Sequence, residues 1–364
     1  MCVSKSPTEE FCSIDFDAFI NLDPHSASCN INFWFPQTDF PVKIKGSCRG
    51  LILLLRRPDI FCIWNPSTGF KKQIPFSPFD SKKVEILHAR LYGFGYDESK
   101  DDYLVVLLSH EPTKENPFKS HFEIFSIRDN RWKVIEGTHF PYFGDREGLL
   151  LHRAIHWLTF RVDQAIYVIV AFDLMERKLF EIPLPDYFNQ EEYFNQEEQP
   201  IAFGLWIFGE FLSLWAKNYN DTDEIWVMKE YTLKSSWTKT LVLPRNFIPN
   251  FYFSPICSTN NGYIPNFYFS PICSTDNGDI IGTICSIPDI YFNPICPINN
   301  DDLLFLNNND DIIEKVRDTR LMKINDKGQL LRRHSFRNNL SDIVMHTESL
   351  LSLPGDNDQV YKLD

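Results

Sequence analysis

The stretch that decides the fold is residues 50–75, GLILLLRRPDIFCIWNPSTGFKKQIP. It begins with a continuous apolar run, residues 51–55, of the kind that is buried on both faces of a sheet. A second apolar segment, residues 60–64, leads into Asn65-Pro66-Ser67-Thr68-Gly69, where proline fixes φ and glycine accepts a positive φ. The stretch therefore predicts two strands, a tight turn and an edge strand that ends at Pro75.

The same unit returns along the rest of the chain. Its copies cover residues 104–135, 148–183, 211–241 and 279–330, with half a unit at 349–363. A repeat of roughly 40–50 residues with four short strands is typical of a β-propeller. The alternative, a β-sandwich, would need two or three domains of about 100 residues each, and no linker separates such domains. We therefore predict an all-β protein, a single closed β-propeller of about six kelch-like blades, in which residues 360–363 pair with an N-terminal strand near 12–16.

The composition agrees with pleated sheet and argues against several classes of protein. Aromatic residues make up 15% of the chain, led by 32 Phe. The net charge, 36 − 49 = −13, argues against nucleic acid, because a surface that follows phosphates needs clustered Lys and Arg. No uncharged apolar run reaches the roughly 18 residues of a membrane helix, so we expect no membrane partner. Nine scattered cysteines without a C-x-x-C pair indicate reduced thiols and a location in the cytoplasm, the nucleus or both.

Two near-identical duplications interrupt the repeats and indicate loop insertions. Residues 187–192 are followed at once by a copy at 193–198, and residues 248–259 return at 264–275. Because a blade has room for about four strands, we predict that the copy at 264 lies in the sheet and the copy at 248 outside it. The Asn- and Asp-rich residues 299–311 are predicted to be another loop. Loops that do not repeat are the candidate binding surface, at residues 76–85, 111–120, 187–199 and 246–263.

Two histidines and two glycines stand at spacings that resemble metal and cofactor motifs only in part. His152 and His156 lie four residues apart, but Arg153 stands where a zinc-protease helix needs Glu, and no third ligand is evident. Gly93-Phe94-Gly95 lacks the third glycine and the following helix of a dinucleotide loop. We interpret these histidines and glycines as packing residues, and we expect no bound metal and no cofactor.

Aspartates and tryptophans receive structural interpretations as well. Asp97, Asp101 and Asp102 lack the spacing of a calcium loop and fit a hairpin turn. Five tryptophans fall at equivalent places in the repeating unit and are predicted to pack between blades: Trp64, Trp132, Trp157, Trp226 and Trp237. No catalytic residue is predicted, and we expect no enzymatic activity.

Six segments then identify a family resemblance. They are residues 46–52 (GSCRGLI), 63–69 (IWNPSTG), 91–106, 154–158 (AIHWL), 171–185 and 224–228 (EIWVM). In this order, spread over most of the chain, they resemble the plant F-box-associated (type 1) family, the F-box/kelch-repeat-like proteins, in its legume form. Structural roles are expected for the residues that carry the resemblance: Gly46, Gly50, Trp64, Asn65, Pro66, Gly93, Gly95, Asp97, Asp102, Tyr103, His156, Trp157, Asp173 and Trp226.

The resemblance implies a role in protein ubiquitination. Members of that family carry an F-box that docks on a Skp-type adaptor of a cullin-RING ligase, and their C-terminal domain recruits the protein substrate. Residues 1–6 resemble only the end of an F-box. We therefore expect 1–6 to be its remnant, 7–364 to be the F-box-associated propeller domain, and the chain to bind a protein substrate without the adaptor or the cullin. Two alternatives stay open: an enzyme on a propeller scaffold, such as a glycan hydrolase, and a truncated fragment without function.

Overall fold

The structure is a computed structural model. It describes residues 2–6, 10–15, 28–31, 42–56, 60–78, 90–110, 120–135, 142–143, 146–161, 163–189, 202–217, 222–244, 267–274, 279–286, 293–299, 302–306, 312–315, 320–325, 327, 329–335, 339–350 and 353. In these residues the strands form seven sheets. The helical residues among them are two single 3-10 turns, Asp186–Phe188 and Lys234–Ser236. The all-β prediction is confirmed.

Three N-terminal strands precede the first complete sheet: β1 (Cys2–Ser6), β2 (Glu10–Ile14) and β3 (Ser28–Ile31). Sheet 1 then consists of β4 (Val42–Cys48), β5 (Leu51–Arg56), β6 (Ile60–Trp64) and β7 (Lys71–Gln73), hydrogen-bonded in that order and antiparallel. Every residue of β5 is buried, which explains its continuous apolar run. The predicted turn is present, because Gly69 N donates to Asn65 O over 2.9 Å.

Sheet 2 repeats this arrangement with β8 (Arg90–Asp97), β9 (Asp102–His110), β10 (Ser120–Ser126) and β11 (Arg131–Ile135). Two short strands follow, β12 (Tyr142–Phe143) and β13 (Arg146–Glu147), and β13 pairs with β8 in parallel. Sheet 3 contains β14 (Leu149–Leu151), β15 (Ala154–Arg161), β16 (Ile166–Asp173) and β17 (Lys178–Ile182), with β12 also on β15. The units read from the sequence at residues 50–75, 104–135 and 148–183 therefore fall in sheets 1, 2 and 3.

Sheet 4 contains β18 (Ala202–Phe208), β19 (Phe211–Lys217), β20 (Thr222–Met228) and β21 (Trp237–Pro244). Sheet 5 begins with β22 (Phe267–Ser274) and β23 (Ile280–Ser286). A three-stranded sheet of β24 (Asn293–Asn299), β25 (Asp302–Leu306) and β26 (Ile312–Lys315) comes next, before β27 (Arg320–Ile324) and β28 (Leu330–Ser335) complete sheet 5.

The last strand, β29 (Asn339–Val344), joins the N-terminal strands in one terminal sheet of order β29-β1-β2-β3. The pairing runs from Cys2 opposite Val344 to Ser6 opposite Asn339. Strands from the two ends of the chain therefore share a sheet. The segments differ from those predicted, since β1 lies beside β29, and residues 360–363 lie outside the described part of the chain.

Two other predictions need correction. Residues 349, 350 and 353, expected in a strand, lie outside strands; residue 349 is instead held by turns of sheet 1. Within the predicted loop 299–311, residues 302–306 form β25, because four consecutive apolar side chains follow Asp302. By contrast, β22 confirms that the second copy of the duplication, at 264–275, supplies a strand. The first copy, at 248–259, lies outside the described residues.

Successive sheets pack face to face, and we call each such interface a seam. The first strands of neighbouring sheets lie side by side, with β29 beside β4, β4 beside β8, β8 beside β14, β14 beside β18 and β18 beside β22. Apolar clusters fill the seams between the terminal sheet and sheet 1 and between sheets 1 and 2, 2 and 3, and 3 and 4. Burial of each large side chain there stabilises the fold by about 1.5–3 kcal/mol.

Tryptophans mark these seams as predicted. Trp132 in sheet 2 donates its indole N–H over 2.8 Å to the carbonyl oxygen of Pro75, which follows the outer strand β7 of sheet 1. Trp237 in sheet 4 makes the equivalent bond, over 3.1 Å, to the carbonyl oxygen of Pro183, which follows the outer strand β17 of sheet 3. A large ring at the start of an outer strand thus fastens one sheet to the preceding one.

Candidate functional site

The WNP motif of sheet 1 holds a segment that follows β29. We call residues 345–350 the C-terminal strap. The Asn65 Nδ2 amide donates to Ser349 O over 2.9 Å, and Asn65 Oδ1 accepts from Ser67 N inside the turn that Pro66 opens. Gly50 has a φ of +83°, and a Cβ there would lie 2.2 Å from Ser349 Cβ. Gly50 therefore leaves room for the strap, and Asn65 binds it through a hydrogen bond.

The aspartates of sheet 2 anchor turns and bind a cation from sheet 3. Asp97 is fully buried and Asp102 nearly so. Arg177 Nη2 lies 3.3 Å from Asp97 Oδ2 and 3.7 Å from Asp102 Oδ2. Asp102 also accepts from the hydroxyl of Ser126 and from Arg128 N. In sheet 3, Asp173 Oδ1 accepts from the backbone N–H groups of the turn that follows it.

The glycines of β8 allow close packing against sheet 3. A Cβ on Gly93 would lie 2.8 Å from Trp157 Cζ2, and a Cβ on Gly95 would lie 2.6 Å from Leu174 Cδ1. Trp157 also donates its indole N–H to Tyr92 O over 2.8 Å. A side chain at either glycine would force Trp157 or Leu174 to shift.

The other motif residues also lie in seams. Gly46 faces Phe94, because a Cβ on it would lie 3.2 Å from Phe94 Cβ. Tyr103 stacks on Phe94 with ring centroids 5.9 Å apart, and burial raises the pKa of Tyr103 to about 12. Trp64 packs its ring edge-on against Phe11 at 5.1 Å. The motif residues are distributed over four seams, so they do not converge on one binding surface.

His156, a further motif residue, is buried in β15 and shared between two sheets. Its Nδ1 lies 3.2 Å from Leu149 O and its Nε2 lies 2.6 Å from the Tyr231 hydroxyl. A carbonyl can only accept, so Nδ1 carries the proton and Nε2 accepts from Tyr231. Burial lowers the pKa of His156 to about 4, so that the ring is neutral at pH 7. His152, in the preceding turn, is exposed and packs its ring edge against Tyr231.

A group of aromatic rings lies at the opposite end of this seam and was not predicted. We define the aromatic end as Phe160, Tyr167, Tyr187, Phe188, Phe203 and Trp226. Tyr167 packs between Phe160 and Phe203, with centroids 5.2 and 4.8 Å away. Tyr167 is 39% exposed, so this interlocked group presents an aromatic face to solvent.

Trp226 extends the aromatic end along sheet 4. Tyr187 stacks on it at 5.5 Å, and Phe188 packs edge-on at 5.8 Å. Lys239 lies 5.4 Å from the centre of the Trp226 ring and 2.9 Å from Glu224 Oε1, while the indole N–H donates to Glu224 Oε2. The half-buried Trp226 therefore has a fixed orientation with one charged pair beside it.

A cavity of about 360 Å³ opens farther along the same seam. It is lined by Glu147, Leu149, His156, Leu158 and Leu205. His156 and Leu158 are buried at its floor, whereas Glu147 is exposed and Leu149 and Leu205 are half-buried at its mouth.

An ion pair crosses from sheet 1 to the mouth of the cavity. Lys45 Nζ lies 2.6 Å from Glu147 Oε1 and 4.2 Å above the ring of Tyr92. The Lys45 side chain is only 7% exposed, but that of Glu147 is 46% exposed. In the described part of the chain no other hydrogen bond to the Glu147 carboxylate is present, so its second oxygen has no donor from these residues.

The candidate loops read from the sequence lie mostly outside the described residues. The strands that flank them are described, and in each case the connection runs from an outer strand to the next sheet or from the second strand of a sheet to the third. In antiparallel sheets these connections leave from the same end of the strands. This end is the one at which Phe160, Tyr167 and Phe203 lie.

The described residues contain neither a metal cluster nor a membrane-spanning helix. Among the described residues, no group of three or more His, Cys, Asp and Glu could hold a metal ion. The same residues include no helix long and apolar enough to cross a membrane. Cys48 and Cys62 are buried free thiols, and burial raises their pKa values to about 12 and about 11.

Comparison with known proteins points to one family. A family model described as "F-box associated beta propeller domain" matches residues 4–266. In Arabidopsis thaliana, F-box protein CPR1 is 27% identical over 237 residues, which are 59% of this chain and 56% of that protein. The F-box/kelch-repeat protein At3g23880 of the same plant is 26% identical over 215 residues, 56% of this chain and 53% of that protein. The chain thus spans about half the length of the curated relatives it matches.

Proposed function

Because the chain belongs to the family of F-box associated beta propeller domains, we propose that it is the substrate-recognition part of an F-box-type ubiquitin ligase subunit. In this role it binds a protein substrate non-catalytically, whereas the F-box of such a subunit docks on the Skp-type adaptor of the cullin ligase. The proposed location is the cytoplasm, the nucleus or both. The names of the relatives support the proposal, because they are F-box proteins.

The proposal includes the arrangement of the sheets. Sheets 1–5 and the terminal sheet are proposed to form a closed propeller of about six blades. The side-by-side order of the first strands from β29 to β22 supports a ring. The pairing of β1 with β29 supports closure, since a blade built from both chain ends leaves no free sheet edge between them.

One observation carries the choice of the binding surface: the aromatic end is partly exposed and still rigid. Tyr and Trp anchors dominate the free energy of many protein interfaces, because they contribute a large contact area at a low cost in conformational entropy. Here each ring contacts one to three others, so little side-chain freedom is left to lose on binding. An exposed Leu or Val on an outer strand lacks this preorganisation.

The position of the aromatic end agrees with this choice. Loops of different sequence are the usual carriers of specificity on a repeated scaffold. The strand ends that flank residues 76–85, 111–120, 187–199 and 246–263 lie at the same end of the sheets as Tyr167. The substrate is therefore proposed to contact those loops and the aromatic end together.

Proximity labelling in plant cells tests the proposed function. The 364-residue chain, a Tyr167→Ala/Tyr187→Ala variant and a Val242→Ala control are each fused to the labelling enzyme. Val242 is a suitable control, because it is 51% exposed on the outer strand β21. A substrate should be labelled by the wild type and the control and lost with the double variant, and the purified substrate should bind the variant at least tenfold more weakly. Identical labelling by all three chains would contradict the proposed surface.

A further inference from the structure

The aromatic end and the cavity share one face of the same two strands. On β15, His156, Leu158 and Phe160 alternate along one face, and on β18, Phe203 and Leu205 do the same. Residues two apart on a strand lie about 7 Å apart. A chain in contact with Phe160 and Phe203 therefore reaches the cavity mouth within two or three extended residues.

The size and lining of the cavity restrict what could fill it. A volume of about 360 Å³ is at the lower end of the range of ligand pockets, which begins near 300 Å³. Three leucines line it together with Glu147 and His156, so a fitting occupant carries an apolar group beside a polar one. A large aliphatic side chain next to a peptide N–H matches this mixed lining.

The charged residues at the mouth indicate which polar group an occupant can carry. Glu147 and Lys45 neutralise each other, so that the mouth has no net charge to attract an ion. The exposed Glu147 carboxylate nevertheless retains an oxygen that can accept a hydrogen bond. A peptide segment meets both requirements. Its uncharged backbone N–H can donate to Glu147, and an adjacent aliphatic side chain can contact the leucines.

We infer that the cavity is a specificity pocket for the protein substrate, an inference that rests on the proposed function. An extended segment of the substrate inserts a Leu-, Ile- or Met-sized side chain between sheets 3 and 4 and donates a backbone N–H to Glu147. The aromatic end holds the neighbouring residues of the segment. The pocket thereby selects substrates with a large aliphatic residue two or three positions from the part bound by the aromatic rings.

Two capped amino acids test the pocket without knowledge of the substrate. N-acetyl-leucine N-methylamide has the aliphatic side chain and neutral N–H donors, and N-acetyl-alanine N-methylamide lacks only three side-chain carbons. Ligand-observed NMR titration of the 364-residue chain should give a leucine probe affinity at least tenfold higher than that of the alanine probe, because each buried carbon contributes about 0.8 kcal/mol. Equal affinities would overturn the inference.

Variants locate the probe. Leu205→Trp narrows the mouth of the cavity and should weaken binding of the leucine probe at least tenfold. Glu147→Gln should weaken it roughly fivefold, since a charge-assisted hydrogen bond becomes a neutral one. Val242→Trp, on the exposed outer strand of the same sheet, should leave the affinity unchanged. If Leu205→Trp does not give a cooperative melt, Leu149→Phe at the mouth replaces it. Unaltered binding in Leu205→Trp would place the probe elsewhere and refute the pocket.

The two proposals can fail separately. If Leu205→Trp labels the same substrate as the wild type and Tyr167→Ala/Tyr187→Ala does not, the pocket is wrong and the recognition function stands. If the leucine probe binds as expected but the wild-type chain labels no substrate, the pocket stands as a binding site and the proposed function is wrong.

Discussion

Arg177 Nη2 lies 3.3 Å from Oδ2 of the fully buried Asp97, and this ion pair joins the turn after β16 to the end of β8. Asp102, also buried, lies within 3.7 Å of the same guanidinium. Two carboxylates from sheet 2 thus depend on one cation from sheet 3. Removal of Arg177 would leave two buried carboxylates with hydrogen bonds but no cation, so this contact is a sensitive point of the seam.

Arg177→Met should therefore destabilise the protein by about 3–5 kcal/mol. The matched control is Lys178→Met, because Lys178 forms an exposed pair with Glu176 at 3.6 Å, and exposed pairs contribute about 1 kcal/mol or less. Urea denaturation of both variants gives the comparison. Equal midpoints for the two variants would show that the buried carboxylates do not need the guanidinium.

Gly50 and Gly69 form a second matched pair. Both have a positive φ, +83° and +74°, but a Cβ meets Ser349 at 2.2 Å only at Gly50 and meets nothing within 4 Å at Gly69. Gly69→Ala should cost about 1–2 kcal/mol of backbone strain. Gly50→Ala should cost clearly more, since the strap must also move. Thermal melts check this, and equal costs would mean that the strap does not pack on sheet 1.

Deletion of residues 2–6 tests the proposed closure of the ring. β1 is an inner strand of the terminal sheet, paired with β2 on one side and β29 on the other. Its loss removes two ladders and exposes the edges of both neighbours. The melting temperature should fall sharply, by roughly 10 °C or more. An unchanged melt after this deletion would refute closure through β1 and β29.

The lowered pKa of the buried His156 predicts that the protein loses stability in acid. Burial lowers its pKa in the folded state to about 4, from an ordinary value of 6.5. Below pH 6.5 the unfolded chain therefore binds a proton that the folded chain does not, and the free energy of unfolding falls until the pH reaches about 4. Between pH 7 and pH 5 the loss should be about 2 kcal/mol.

His156→Gln isolates this effect from other histidines, such as His346, whose pKa is also lowered by burial. Denaturation at pH 7, 6 and 5 should show a flatter dependence in His156→Gln than in the wild type. The exposed neighbour provides the control, since His152→Gln should retain most of the wild-type slope. If His156→Gln has the wild-type slope, His156 does not titrate as described.

Local chemistry made much of the fold predictable. The alternation of apolar runs with Asn-Pro and Thr-Gly turns located sheet 1, because each strand and turn depends on residues close in sequence. The inter-sheet role of Trp132 and Trp237 followed from their equivalent positions. The second copy of the duplicated segment was placed in a sheet correctly, since it leads directly into the next apolar strand.

Long-range strand pairing was harder to predict from the sequence than local structure. Residues 339–344 and 2–6 are short and weakly apolar, and only their meeting in space makes them neighbours. The aromatic end has the same origin: its rings come from β15, β16, β18, β20 and the turn after β17, so no local pattern groups them. Trp226 was predicted to pack between blades. It packs against the cluster between sheets 3 and 4 and stacks on Tyr187 from the turn after β17, but it is only half-buried.

The most direct test of the central claim, that the aromatic end recognises a protein substrate, is the affinity of a purified substrate for the wild-type chain and for Tyr167→Ala/Tyr187→Ala. The substrate comes from proximity labelling, and binding is measured by calorimetry beside the Val242→Ala control. We predict at least a tenfold loss of affinity in the double variant, an unchanged affinity in the control, and cooperative melts in both. Equal affinities of the wild type and a folded double variant would contradict the account.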